Sequence, residues 1–197
     1  MQIILSDFMT LDGVVQAPGG PDEDTDGGFA HGGWSMSYFD PEAMGPVLGA
    51  VMDRTDALLF GRRTWQAMAA AWPGRAGDPF ADQMNAIPKY VASRTLTQDD
   101  LTWSGSSLLP GDDAIAAVRE LRAREGKGLQ IWGSASFAAQ LIEHDLVDEY
   151  VLMIQPILVG GGKRIFPADG RARPLELVST TTASTGVLIC TYRPAQG

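Results

Sequence analysis

The strongest constraint on this chain is an alternation: short apolar runs are followed, again and again, by segments with helical spacing. Ile3 to Phe8 reads as a buried strand, as do Ala57–Phe60, Lys89–Ala92, Leu129–Trp132 and Asp148–Gln155. Between them, Met44, Val47, Leu48, Val51 and Met52 recur at helical spacing after Asp40-Pro41, an N-cap followed by a proline at the first helical position. Trp65 and Met68 mark a second helix. Ile115, Val118 and Leu121 mark a third, capped by Asp112 with Gly126 past its end, and Phe137, Leu141 and Ile142 mark a fourth. Two last strands, Glu176–Thr182 and Val187–Arg193, meet at Ser184-Thr185-Gly186 as a hairpin. Strands alternating with helices and closed by a hairpin predict an α/β fold: a mostly parallel sheet, helices on both faces, and an antiparallel edge.

The chain has 197 residues, 45% apolar and 20% charged, with no repeat and no linker, so one domain over 1–197 is expected. A net charge of −9 repels phosphate backbones and anionic lipid, which argues against nucleic acid and membrane as partners. Cys190 is the single cysteine, so no intrachain disulfide forms. With no basic, apolar leader and no run of roughly 20 apolar residues, a cytoplasmic protein is expected.

Three strand-to-helix junctions carry the chemistry. Gly61-Arg62-Arg63-Thr64-Trp65 puts two guanidiniums and a hydroxyl at a helix start, where free N–H groups and the helix dipole attract phosphate. In an acidic chain such a concentration of positive charge is what an anionic cofactor needs; solvated arginines on an ordinary turn are the alternative. Ser93-Arg94 ends the next strand on the same rim, as a second anion grip or as a loop cap. Gly133-Ser134-Ala135-Ser136 offers N–H groups and hydroxyls to a pyrophosphate, without the glycine spacing of a Rossmann site.

Thr10-Leu11-Asp12-Gly13 and these three junctions follow the order and spacing of the dihydrofolate reductase superfamily, which the chain resembles over nearly its whole length. The likeness is to the bacterial branch related to the riboflavin-pathway pyrimidine reductases, the RibD C-terminal domain, whose glycine-rich segment Pro156–Gly162 with Ile165-Phe166 resembles. That resemblance implies a dihydrofolate-reductase-like three-layer fold and a cytoplasmic NADPH-dependent reductase. Arg62, Ser93 and Arg94 would hold the 2′-phosphate; Arg63 and Thr64 would hold the pyrophosphate with Gly61 and Gly133–Ser136, including a cis peptide at Gly133-Ser134. Met9, Val14 and Val15 would line the nicotinamide pocket. A homodimer is implied by the resemblance together with the closing hairpin.

The substrate side departs from the family. Asp40 stands near the dihydrofolate reductase carboxylate and is the candidate proton donor, although an N-cap role explains it equally. Trp132 stands where the pyrimidine reductases carry a carboxylate. Asp12 is a turn residue or a substrate contact, and Trp34 a stacking surface or a loop anchor. The Gly/Asp-rich stretch from Ala17 to Gly33 reads as a long loop, an acidic, solvated lid. Asp22, Asp24 and Asp26 imitate an EF-hand opening, but Gly33 stands where its glutamate belongs, and His31 has no partner at ligand spacing, so no metal is expected. The expected activity is hydride transfer from NADPH to a small pterin-, pyrimidine- or sugar-like substrate. A non-catalytic NADPH sensor is the alternative, and a cofactor-free interaction protein fits the clustered arginines poorly.

Overall fold

The computed structural model describes residues 1–75, 77–110 and 113–195. Eight strands form one sheet: β1 (Gln2–Thr10), β2 (Ala57–Gly61), β3 (Lys89–Ser93), β4 (Ser106–Pro110), β5 (Gly128–Trp132), β6 (Glu149–Gln155), β7 (Leu175–Thr182) and β8 (Leu188–Pro194). Their order is β4-β3-β2-β5-β1-β6-β8-β7. The first six in that order are parallel; β8 runs antiparallel to β6, and β7 antiparallel to β8. The expected parallel sheet with an antiparallel hairpin edge is therefore present.

Five helices cover its faces: α1 (Pro41–Met52), α2 (Arg62–Ala71), α3 (Pro79–Ala86), α4 (Ala114–Ala123) and α5 (Ala135–Glu143). On one face, Val118 and Leu121 of α4 and Phe137 and Leu141 of α5 pack on Ile3, Leu5, Leu59, Leu129 and Ile131. On the other, Met44 and Leu48 of α1, Trp65 of α2 and Met84 of α3 pack on Leu58, Phe60, Val91 and Trp132. Central strands buried on both faces explain why their sequences are continuous apolar runs rather than alternating ones.

Two elements escape the periodicity argument. Helix α3 has eight residues and two buried side chains, too few to set a helical rhythm, yet it starts like α1: Asp78 caps it, accepting from Ala81 N at 2.9 Å, and Pro79 follows. Strand β4 is a five-residue edge strand ending in proline, Ser106-Ser107-Leu108-Leu109-Pro110. The Asp112 cap expected for α4 lies outside the described residues; the helix follows Asp113, whose side chain makes no capping bond.

Lys89 opens β3 and is 0% exposed. Its ammonium donates to the carbonyls of Asn85 (3.0 Å), Ile87 (2.7 Å) and Ser104 (3.0 Å) and lies 4.4 Å from the Trp103 ring centre. It thereby joins the end of α3 to the loop entering β4. Cys190 is buried in β8, as its strand pattern suggests. Among the described residues no helix is long and apolar enough to cross a membrane.

Candidate functional site

Strands β3, β2, β5 and β1 are adjacent and parallel, so their carboxyl ends share one rim. Every junction singled out from the sequence leaves that rim. Gly61 ends β2 and α2 starts at Arg62; Ser93 ends β3; β5 ends at Trp132 and α5 starts at Ala135.

The first and third junctions are bonded to each other. Gly61 N donates to Ser134 Oγ at 2.7 Å, and Ser134 N donates to Thr64 Oγ1 at 2.9 Å. A Cβ on Gly61 would stand 3.0 Å from the Ser134 side chain, so glycine is required for this approach. The peptides are all trans among the described residues, and the expected cis bond at Gly133-Ser134 is absent. Instead Gly133 (φ 54°) and Ser134 (φ 59°) are both left-handed, which turns the chain sharply into α5 by another route. No protein acceptor takes the N–H groups of Ala135 or Ser136 among the described residues. These bare donors begin a helix and can receive an anion.

Ser93 Oγ accepts from Thr95 N (3.1 Å) and Leu96 N (2.9 Å), so this hydroxyl caps the loop and is already engaged. Arg94 is exposed, Arg62 half-buried, and neither makes an ion pair among the described residues. Arg63 is different: it pairs with Asp26 and approaches Asp24 at 3.6 Å. Lys163 pairs with the same two carboxylates, at 2.9 Å from Asp26. The acidic loop 17–33 is largely exposed, and two of its carboxylates are seated on cations of the site. Gln16, 4% exposed, holds it there, donating to the Asp24 and Asp26 carbonyls and accepting from Lys163 N.

Trp34 is an anchor of that loop. It is 7% exposed and its indole donates to Gln16 O at 2.7 Å, leaving no ring face for a ligand to stack upon. Met9, Val14 and Val15 are buried, and Met9, Val15 and Ile165 belong to one apolar cluster. Asp12 accepts from Thr10 Oγ1 (2.6 Å), Gly160 N (2.9 Å) and Val159 N (3.3 Å), tying the Leu-Asp-Gly turn to the glycine-rich segment; the Thr10 hydroxyl above all holds its pKa down to about 2. Asp40 caps α1 through Glu42 N and Ala43 N and also accepts from Ser184 N and Oγ. The Ser184 hydroxyl, ahead of the backbone donors, depresses its pKa, which suits a structural carboxylate and not a proton donor.

Sequence reasoning passed over two residues. Lys163 follows Gly160-Gly161-Gly162, a pattern that places a cation after a glycine run. Asp7 is the lone carboxylate inside the apolar run of β1. It is 4% exposed, and its Oδ2 has no hydrogen-bond partner among the described residues. Ser6 is the last β1 residue paired with β5, opposite Trp132, and Asp7 follows it, paired with Leu152 of β6. Burial drives its pKa well above the usual carboxylate range, against a Phe8 backbone bond, and the Glu23 charge adds to the rise. The folded protein therefore retains a proton that the unfolded chain releases near pH 4. Its stabilising contribution is complete below that pH and is lost as pH rises through the folded pKa. Asp7→Asn is expected to raise the melting temperature at pH 8 and to leave it nearly unchanged at pH 4; thermal melts at the two pH values check this.

A cavity of about 490 Å³ opens beside Lys163, between loop residues Phe29 and His31 and the segment Val159, Gly161 and Gly162. Gly162 (φ 133°) is confined there by packing as well as backbone: a Cβ would lie 2.7 Å from Val14 Cγ1. Among the described residues no group of three or more side chains is arranged to hold a metal.

The fold and this rim define an α/β protein of dihydrofolate-reductase-like architecture. The model of the RibD C-terminal domain family matches residues 1–189, and the chain belongs to that family. Membership supports a reductase role. The uncharacterized protein YyaP of Bacillus subtilis (strain 168) is 27% identical, the match covering 97% of this chain and 94% of that one. A putative riboflavin biosynthesis protein from Shewanella sp. PV-4 shares the fold with a TM-score of 0.75 at 22% identity, covering both chains in full. A pyrimidine reductase-like protein from Corynebacterium diphtheriae does so at 0.66 and 15%, covering 100% of this chain and 92% of that one.

Proposed function

We propose that the chain is an NADPH-dependent reductase that delivers hydride to an electron-poor C=N or C=O carbon of a small pterin-, pyrimidine- or sugar-like substrate. One observation carries the cofactor assignment. In a chain of net charge −9, Arg62 and Arg94 make no ion pair among the described residues, on the rim where α5 presents the N–H groups of Ala135 and Ser136, which meet no acceptor among those residues. Guanidiniums suit a 2′-phosphate, and helix-start N–H groups suit a pyrophosphate. NADPH, when bound, supplies the hydride; the chain supplies position, a dry surface and the proton.

Met9, Val14 and Val15 provide the apolar surface, and the loop 17–33 excludes water. Asp7 is the residue suited to give the proton. Burial holds its carboxyl toward the protonated form, its Oδ2 has no partner among the described residues, and solvent replenishes the proton when the loop lifts. Asp40, fully engaged as a cap, has no part in that step.

Calorimetric titration tests the cofactor reading. NADPH is expected to bind more tightly than NADH, and Arg62→Ala or Arg94→Ala to weaken NADPH about 10-fold each, the equivalent of about 1.4 kcal/mol, while sparing NADH. Equal affinity for the two nucleotides, or no effect of either substitution, contradicts it. The presence of Trp132 in place of the substrate carboxylate of the pyrimidine reductases favours a second reading, an NADPH sensor without turnover. NADPH oxidation with any member of a carbonyl and imine panel excludes that reading.

A further inference from the structure

We propose that Arg63 and Lys163 form a phosphate- or diphosphate-binding site, and that Asp24 and Asp26 are its built-in competitor, seated where the anion binds. The inference rests on the phosphate role given to Arg63 above. It adds a second cation from a distant part of the chain and a reason why the site discriminates among anions.

The four groups form a closed arrangement. Asp26 pairs with both Arg63 and Lys163; Asp24 pairs with Lys163 and stands 3.6 Å from Arg63. Two cations thus share two carboxylates, as they would share the two charged ends of a diphosphate or the oxygens of a phosphate dianion. Loop charges scattered in solvent would give isolated pairs. Here the loop is delivered to the cations by a separate device. Gln16 donates to the Asp24 carbonyl (3.0 Å) and the Asp26 carbonyl (3.1 Å) and accepts from Lys163 N (3.1 Å), and Val15 N donates to Lys163 O (2.9 Å).

The occupants are displaceable. The side chains of Arg63 and Lys163 are 54% and 34% exposed, and ion pairs that wet are individually weak. The cavity beside Lys163 and Asp26 gives an incoming anion room, bordered by Gly161, at which an added Cβ would meet nothing within 4 Å. A ligand with two adjacent negative charges replaces both carboxylates at once, whereas one with a single charge leaves a loop carboxylate in place. The loop therefore opens for phosphate-bearing ligands and stays shut for simple carboxylates.

The test is calorimetric titration of inorganic diphosphate, and separately of NADPH, into the whole chain and three variants. Asp24→Asn/Asp26→Asn removes the competitor. The same variant with Lys163→Met removes the added cation. Asp22→Asn/Asp99→Asn changes net charge equally at exposed aspartates that form no ion pair among the described residues. The competitor-free variant is expected to bind diphosphate at least about 10-fold more tightly than wild type. The charge-matched control should match wild type, and Lys163→Met should cancel the gain. Asp26→Asn alone carries the same test should the double variant fail to fold. Equal binding by the competitor-free variant and the control, or a gain that survives Lys163→Met, overturns the proposal. The NADPH arm separates the two readings. The diphosphate pattern without NADPH binding leaves this site standing and removes the reductase assignment. NADPH binding with no diphosphate gain does the reverse.

Discussion

Asp40→Ala is expected to lower the melting temperature by roughly 5 °C or more while leaving NADPH affinity unchanged. The carboxylate has four donors. Glu42 N (3.1 Å) and Ala43 N (3.2 Å) belong to the first turn of α1; Ser184 N (2.9 Å) and Ser184 Oγ (2.7 Å) belong to the turn of the C-terminal hairpin. Thr185 Oγ1 reinforces the same contact by donating to Tyr38 O at 2.8 Å. Removing the side chain uncaps a helix and unties the hairpin from it, so the loss exceeds that of an isolated cap. Asp40→Asn keeps an oxygen for the cap but cannot satisfy both sides, and should fall between. The pH dependence has a definite sign. The folded pKa is depressed, chiefly by the Ser184 hydroxyl, so the contribution is present above the unfolded value near 4 and is lost as pH falls through the folded one. Wild type should lose this increment on acidification, and Asp40→Ala has none to lose. A proton-donating Asp40 gives the opposite pattern: little change in melting and abolished turnover. Melting curves at pH 3 and pH 7, with NADPH titration, decide between them.

Lys89→Met should cost about 3 kcal/mol in urea unfolding at pH 7. The substitution conserves length and apolar stem, so little packing is lost. What remains are three carbonyl oxygens, of Asn85, Ile87 and Ser104, that lose a shared donor inside the protein, and a Trp103 face that loses a cation. Burial pulls the ammonium pKa down to about 8, below the value near 10.4 of an unfolded lysine. Between those two values the unfolded chain carries the extra proton, so this residue makes stability rise with pH across that window. The methionine variant should lack that rise. Equal slopes in wild type and variant between pH 8 and pH 10 would show that the lysine does not titrate there.

The parallel sheet was legible because each central strand is buried on both faces and must be apolar throughout, while each long helix carries a stripe. Helix α3 was not, since eight residues with two buried side chains set no rhythm and the Asp78-Pro79 start was the available signal; strand β4 was not, since Ser106-Ser107-Leu108-Leu109-Pro110 is no continuous apolar run. At the site, the chain positions of Gly61, Ser93 and Gly133 disclosed the rim, because strand ends in a parallel sheet must face the same way. Their hydroxyls were harder to assign. Ser93, Thr64 and Ser134 each turn out to satisfy a backbone N–H close by, a use that depends on distances no spacing reveals. The pairing of Asp24 and Asp26 with Arg63 and Lys163 joins segments separated by many tens of residues and lies beyond local patterns altogether. Asp7 did offer a sign, a carboxylate within a buried run, which is costly unless it stays protonated or has a partner.

The reciprocal bonds between the ends of β2 and β5 bear on how such a protein can be redesigned. Gly61 leans on Ser134, and Ser134 on Thr64, so two loops that read as separate modules behave as one component. A cofactor-switching library that varies the arginine loop alone would disturb its neighbour's geometry as a side effect. Changes at the two loops should combine non-additively, and productive variants should arise in matched sets. Grafting the rim onto another scaffold means moving both loops together with their strand spacing.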